Sequence, residues 1–209
     1  MLTIIALSVL GILVLTEGLL KRKSWLLFTI LFGLIAVIIM TYLSWNSNKH
    51  YFNEMLIVDN YSVAFNMVLL LSTFFIFMFA GHYYREVTRP LDDVYAILIF
   101  ALIGGVVMTS FGNLIMLFLG IEIMSISLYI LAGSHKEAIT SNEATLKYFL
   151  LGSFLSTFLL FGIALVYGAS GSLNVEAISR YVALNADHLP PLFMAGLFLM
   201  IIGLAFKIA

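Results

Sequence analysis

Residues 94–133 read VYAILIFALIGGVVMTSFGNLIMLFLGIEIMSISLYILAG, forty positions with one formal charge, Glu122. A membrane-spanning helix needs roughly 20 apolar residues, so this stretch is long enough for two spans and far too long for one. Phe111-Gly112-Asn113 at its middle supplies the turn chemistry to fold it into a tight helical hairpin. The run lacks the period-two alternation of an outer-membrane barrel, so both arms are read as helices.

Outward from this hairpin, five more apolar runs of similar length appear, at 2–20, 25–43, 62–81, 144–167 and 192–209, beside the two arms at 94–110 and 114–133. The whole chain agrees with them. Of 209 residues, 63% are hydrophobic and 10% charged, against roughly 45–50% and 25% in an average globular domain. A mean hydropathy of +1.11 gives the same answer: the solvent for most of this chain is lipid. The expected fold is therefore all-α, a polytopic transmembrane helix bundle of about seven spans. Cysteine is absent, which removes disulfides, thiolate metal sites and iron–sulfur clusters from this chain. A net charge of −1 gives no reason to expect a nucleic-acid partner.

The first run has no positive n-region and no small-residue cleavage pattern, and Lys21-Arg22-Lys23 follows it, so it reads as an uncleaved span. Loops on that side of the bundle hold Lys21, Arg22, Lys23, Arg85, Arg89 and Lys136; the opposite loops hold Lys49 and Arg180. The positive-inside rule places the first set in the cytoplasm and the N-terminus on the outer, periplasmic face. Trp25, Tyr42, Trp45, Tyr61, Tyr83, Tyr84 and Tyr95 fall near the expected interfaces, where amphipathic rings prefer to sit. Residues 172–185 have the apolar spacing of a short surface helix on the outer side. Small residues four apart, Ala101 with Gly105, Gly152 with Ser156 and Ser153 with Thr157, suggest close helix contacts.

An ionisable group in mid-bilayer costs about 2.5–3.5 kcal/mol on insertion scales, so each one asks for an explanation. His50, His82, His135 and His188 fall in loops without metal-ligand spacing, and there is no GxGxxG, P-loop or HExxH. Four charged residues remain. Glu17 stands one turn before Lys21, at a favourable pairing distance near the interface, and reads as structural. Glu122 lies roughly 12–15 Å from either end of its run at about 1.5 Å per residue. Ser125 and Tyr129 share its face, making a polar stripe that points into a bundle. Such a glutamate either locks helices together by a hydrogen bond or handles protons or ions. Thr140-x-x-Glu143 is a capping-box pattern that would start the sixth helix, with Lys147 two turns in and paired to Glu143; position alone favours a structural role there. Lys207 has no local counter-charge: it either sits inside the bundle or reaches the cytoplasmic interface.

Two phrases make the arrangement familiar. Leu119-Gly-Ile-Glu122-Ile-Met-Ser-Ile-Ser-Leu-Tyr-Ile-Leu131 resembles the glutamate-bearing helix of the subunit N family of NADH-quinone oxidoreductase (respiratory complex I). The run from Asn142 through Lys147 to Gly162 is similar to the helix that follows it in that family, and Gly203-Leu-Ala-Phe-Lys207 to the family's lysine-bearing seventh helix. The resemblance implies that Glu122 is an intramembrane acid, Lys147 its partner and Lys207 a lysine on the central axis, together a proton relay. It implies an antiporter-like inverted-repeat fold, with 1–93 an N-terminal three-span region and 94–209 the first part of a proton-translocating repeat. It implies partners among the other complex I membrane-arm subunits in a bacterial inner membrane. No cofactor is expected on this chain, since NADH, FMN, iron–sulfur clusters and quinone belong to other subunits or their interfaces. The family's chain continues well past the position of Lys207 through a second repeat, so these residues are expected to be the first part of a longer protein. The rival readings are a subunit of a cation/proton antiporter complex and a non-transporting membrane scaffold.

Overall fold

The computed structural model describes residues 1–20, 25–83, 92–135, 137–186 and 188–208. Among them are eight helices: α1 (Leu2–Leu19), α2 (Leu26–Leu43), α3 (Asn60–Tyr83), α4 (Asp92–Thr109), α5 (Leu114–Ala132), α6 (Ile139–Ser170), α7 (Val175–Leu184) and α8 (Pro191–Ile208). Lys21, Arg22, Lys23, Arg85, Arg89 and Lys136, on which the reading of orientation rests, lie outside the described residues, as does Tyr84.

Six of the helices, α1, α2, α3, α5, α6 and α8, are long and apolar enough to cross a membrane, and α4 is a shorter apolar helix beside them. At about 1.5 Å per residue, the 18 residues of α4 extend about 27 Å, near the roughly 30 Å of a hydrocarbon core. Outward-facing rings such as Phe28, Phe32, Phe79, Phe154 and Phe198 are more than 60% exposed. That surface would aggregate in water and is the expected coat of a bundle in lipid.

The apolar interior forms two clusters. In the first, Leu7 and Val14 of α1, Ile30 and Leu34 of α2, Leu70 and Phe77 of α3 and Ile99 of α4 are buried together. In the second, Ile121 of α5, Leu159 and Ile163 of α6, and Phe193 and Met200 of α8 are buried. The two meet where α4 and α5 run antiparallel, at almost backbone contact: a Cβ on Gly104 would stand 2.5 Å from the Met124 amide nitrogen and 2.7 Å from the Gly120 carbonyl oxygen. The hairpin expected at 111–113 is formed, and Asn113 caps α5 by accepting from the Met116 N–H at 2.8 Å.

One end of the bundle is tied by extended backbone. Strands β1 (Lys49–Tyr51) and β2 (Leu56–Val58) pair antiparallel. The Ile57 N–H then donates to the Ser110 carbonyl, Gly112 to Met55, Leu114 to Leu173 and Val175 to Gly112. Gly112 is sterically required, because a Cβ there would lie 2.0 Å from the Glu54 carbonyl oxygen. Burial first, and the charge of Lys49 second, push the Met1 amino group below its ordinary value, so the N-terminus shares this end. At the opposite end the Ser141 hydroxyl, at the start of α6, donates to the Ala132 carbonyl at the end of α5. Spans therefore alternate in direction through the bundle, as the sequence implied. The expected surface helix is α7, its N-terminus capped by Asn174, which accepts from the Glu176 and Ala177 N–H groups.

Three expectations change. The capping box at Thr140–Glu143 does not form: α6 begins at Ile139 with Ala138 as its cap, and no side chain caps that position among the described residues. The freed N–H groups of Ser141 and Asn142 go instead to the Ala138 carbonyl, so Thr140 is already inside the helix. Tyr95, expected at an interface, is buried and meets the Phe77 ring edge-on at 5.5 Å, because the first turns of α4 pack against α3. The β1–β2 hairpin was not anticipated by any alternation in the sequence.

Candidate functional site

The site is built on three helices of the second cluster. On α5, Ser125 and Tyr129 follow Glu122 on one face, and both are buried. The Tyr129 ring is fixed from α6 by the edges of Tyr148, at 4.8 Å, and Phe149, at 5.9 Å. Its hydroxyl occupies space that Gly152 leaves open; a Cβ there would meet that oxygen at 2.0 Å. One turn further along α6, the Ser156 hydroxyl donates to Glu122 Oε1 at 2.5 Å.

Helix α8 brings the cation. Its glycines let it lie against α6 almost backbone to backbone, with a Cβ on Gly196 falling 2.9 Å from the Gly162 carbonyl oxygen. This seam carries Lys207 across to α5, where its Nζ donates to Ser125 Oγ at 2.9 Å and to Tyr129 Oη at 3.0 Å. The ammonium stands 3.9 Å from Glu122 Oε1 and 5.5 Å from the Tyr129 ring centroid. Exposure of the two side chains is 12% for Lys207 and 23% for Glu122, so the lysine is held inside the bundle and does not reach out to the interface.

The structure thus brings together two of the three residues singled out from the sequence and separates the third. Lys147 pairs with Glu143 on its own helix, not with Glu122, and the side chains of that pair are 70% and 58% exposed. The helix period explains it. Ser156 faces Glu122, and nine residues at 3.6 per turn are two and a half turns, so Lys147 points from the opposite side of α6. Gly152, four residues before Ser156, stays on the Glu122 face. Ser156 was visible in the sequence only as half of a small-residue pair, and a hydroxyl in mid-span on the face of Gly152 was the available signal.

Elsewhere, Glu17 accepts from the Thr29 hydroxyl at 2.9 Å, and its Oε2 is buried without a hydrogen-bond partner among the described residues. Its expected partner Lys21 lies outside them. No group of acidic, histidine or cysteine side chains with metal-holding geometry occurs among the described residues. What the site offers is a carboxylate and an ammonium inside an apolar bundle, each bonded to hydroxyls that can both donate and accept.

Comparison with known proteins gives a consistent set. Residues 112–209 match the family described as NADH:quinone oxidoreductase/Mrp antiporter, transmembrane region. The chain is 41% identical, over 99% of its length and 45% of the relative's, to NADH-quinone oxidoreductase subunit N of Flavobacterium psychrophilum. It is 44% identical, over 99% of its length and 44% of the relative's, to the protein of that name from Flavobacterium johnsoniae. Two solved structures superpose over 98% of this chain and 43% of theirs. One is a chain of respiratory complex I from Thermus thermophilus with bound aureothin, at a TM-score of 0.76 and 28% identity. The other belongs to the membrane-bound sulfane sulfur reductase, an archaeal respiratory membrane complex, at 0.81 and 25%. The chain spans less than half the length of the curated relatives it matches.

Proposed function

We propose, from the match of residues 112–209 to the NADH:quinone oxidoreductase/Mrp antiporter transmembrane family, that the chain is part of a membrane-arm subunit of a proton-pumping NADH-quinone oxidoreductase. Residues 94–209 form the first part of its proton-translocating repeat, and 1–93 an N-terminal three-span region. The chain carries protons, while NADH, FMN, iron–sulfur clusters and quinone act on other subunits or at their interfaces. Its partners are the other membrane-arm subunits in a bacterial inner membrane. The N-terminus lies on the outer face, a reading supported by the excess of Lys and Arg in the loops of the opposite side.

The observation that carries the reading is the approach of Lys207 to Glu122, 3.9 Å apart inside an apolar bundle and on different helices. A proton leaving the Lys207 ammonium for Glu122 Oε1 converts an ion pair into a neutral amine and a carboxylic acid. The reverse transfer restores it. Neither state leaves a lone charge in the bundle, so the transfer avoids the cost of an unpaired ion in lipid. A charge brought near Lys207 by a neighbouring subunit would bias this exchange. Lys147, with Glu143, offers a second cation on the outer flank of α6. The relay is tested by Glu122→Gln in the full-length protein within its assembled complex. Coupled proton transport into vesicles should fall by about tenfold or more while assembly persists. Normal pumping by that variant would remove Glu122 from the relay.

A second reading, a subunit of a cation/proton antiporter complex, is favoured by the Mrp antiporter half of the family description. In that case transport would persist without NADH and quinone, and the protein would co-purify with exchanger subunits.

A further inference from the structure

Glu122 and Lys207 are groups of opposite formal charge in an apolar interior, yet they are 3.9 Å apart and not in hydrogen-bond contact. A charge-assisted N–H···O bond closes to about 2.7–2.9 Å when both groups are free to move. Each partner is occupied elsewhere. The oxygen nearest the lysine, Glu122 Oε1, is the one that accepts from Ser156. Two of the three ammonium N–H donors of Lys207 are spent on Ser125 and Tyr129.

We propose that the hydroxyls of Ser125 and Tyr129 are a clamp that holds Lys207 off Glu122, and that Gly152 is the space that keeps Tyr129 in the clamp. The inference rests on the relay reading above and adds positioning residues to it. A closed ion pair is a trap, because each charge stabilises the other and the proton stays on the nitrogen. A pair held just short of contact keeps Coulomb attraction but can be pulled shut or opened by a small displacement of the lysine. Ser125 and Tyr129 belong to the same helix as Glu122, so the clamp and the acid move as one body. Lys207 comes from α8 and is the part that moves against them.

Tyr129 is built for this and not merely for packing. Its ring is already fixed by Tyr148 and Phe149, so the hydroxyl adds nothing to the ring contact. The hydroxyl fits only because position 152 lacks a Cβ, which would stand 2.0 Å away. Two lesions of opposite chemistry should therefore give one phenotype. Tyr129→Phe keeps the ring and deletes the oxygen; Gly152→Ala keeps the oxygen and displaces it.

The experiment uses the full-length protein in its assembled complex, in membrane vesicles. NADH-driven proton transport is measured together with the infrared carboxylate band of Glu122, identified by its disappearance in Glu122→Gln. Tyr129→Phe and Gly152→Ala should each lower transport by about tenfold or more, the equivalent of one lost hydrogen bond to the ammonium. Both should shift the carboxylate band in the same direction as Lys207 closes onto Oε1. Thr157→Ala, at an exposed position of α6 whose hydroxyl donates back to the Ser153 carbonyl, should leave transport and band unchanged. An unshifted band in Tyr129→Phe overturns the clamp whatever Gly152→Ala does, since the phenylalanine variant preserves the packing. If Glu122→Gln pumps normally the relay fails instead, and the band in Tyr129→Phe still reports whether the lysine has moved.

Discussion

Lys207 of α8 lies 3.9 Å from Glu122 of α5, whereas Lys147 of α6 is turned away onto Glu143. The two lysines should therefore respond very differently to loss of charge. Lys207→Gln leaves a half-buried carboxylate with the Ser156 hydroxyl as its partner among the described residues and should cut NADH-driven proton transport by about tenfold or more. Lys147→Gln breaks a largely exposed pair of the kind worth at most about 1 kcal/mol, before any discount for screening, and should cost well under that. Transport by the two variants in parallel decides it. An equal loss in both would mean that Lys147 swings to Glu122 in the working complex.

The α4–α5 hairpin depends on one missing side chain. A Cβ on Gly104 would press on the backbone at Met124 and Gly120, which cannot give way, while a Cβ on the adjacent Gly105 would meet only Leu69 Cδ1 at 3.3 Å. Gly104→Ala should destabilise the protein by about 1–3 kcal/mol through overpacking, read as a lower thermal midpoint in detergent. Gly105→Ala should leave the midpoint close to that of the unaltered protein. Equal midpoints for the two variants would show that the helices can part at no cost.

The sequence picked the neighbouring glycine. Small residues four apart pointed to Ala101 with Gly105, because spacing shows that a face is small without showing which face meets the partner. The spans were legible for a stronger reason: an apolar run of some twenty residues has few alternatives in lipid. Glu122, Ser125 and Tyr129 were legible as a stripe, since i+3 and i+7 positions on one helix need no tertiary information. The partner of Glu122 was not, because it depends on which sides of α6 and α8 pack inward. Local spacing alone suggested Glu143 for Lys147, and that is the pair the chain forms. The β1–β2 hairpin was hidden by strands of three residues and a connection in which Phe52, Asn53 and Glu54 all take positive φ.

Asn174 joins two parts of the membrane-end layer. It caps α7 through the Glu176 and Ala177 N–H groups, and its side-chain amide donates to Glu54 Oε2 at 3.2 Å. Asn174→Ala should weaken the helix by about 1 kcal/mol. Amide hydrogen exchange should rise about fivefold across α7 and also in the β1–β2 connection, with the spans unchanged. Faster exchange confined to α7 would show that the bond to Glu54 holds nothing.

Gly203 stands one turn before Lys207 on α8, so whatever displaces its backbone also displaces the lysine. A Cβ there would lie 2.7 Å from the Leu159 Cβ, 3.0 Å from the Leu159 amide nitrogen and 3.1 Å from the Leu155 carbonyl oxygen. Two of those three atoms are α6 backbone, so the only relief is for α8 to move away from α6. Gly168→Ala is the matched control on α6, since its Cβ would find only Leu192 Cδ2 at an ordinary 3.7 Å. A shift of about 1 Å at Lys207 is enough to lose its bonds to Ser125 and Tyr129, and misplacement on that scale can cost about 100-fold in rate. Gly203→Ala should therefore lower proton transport far more than it lowers the thermal midpoint, while Gly168→Ala changes neither. Unimpaired transport in Gly203→Ala would mean that the position of Lys207 is not set by the α6–α8 seam, and the seam would then be packing alone.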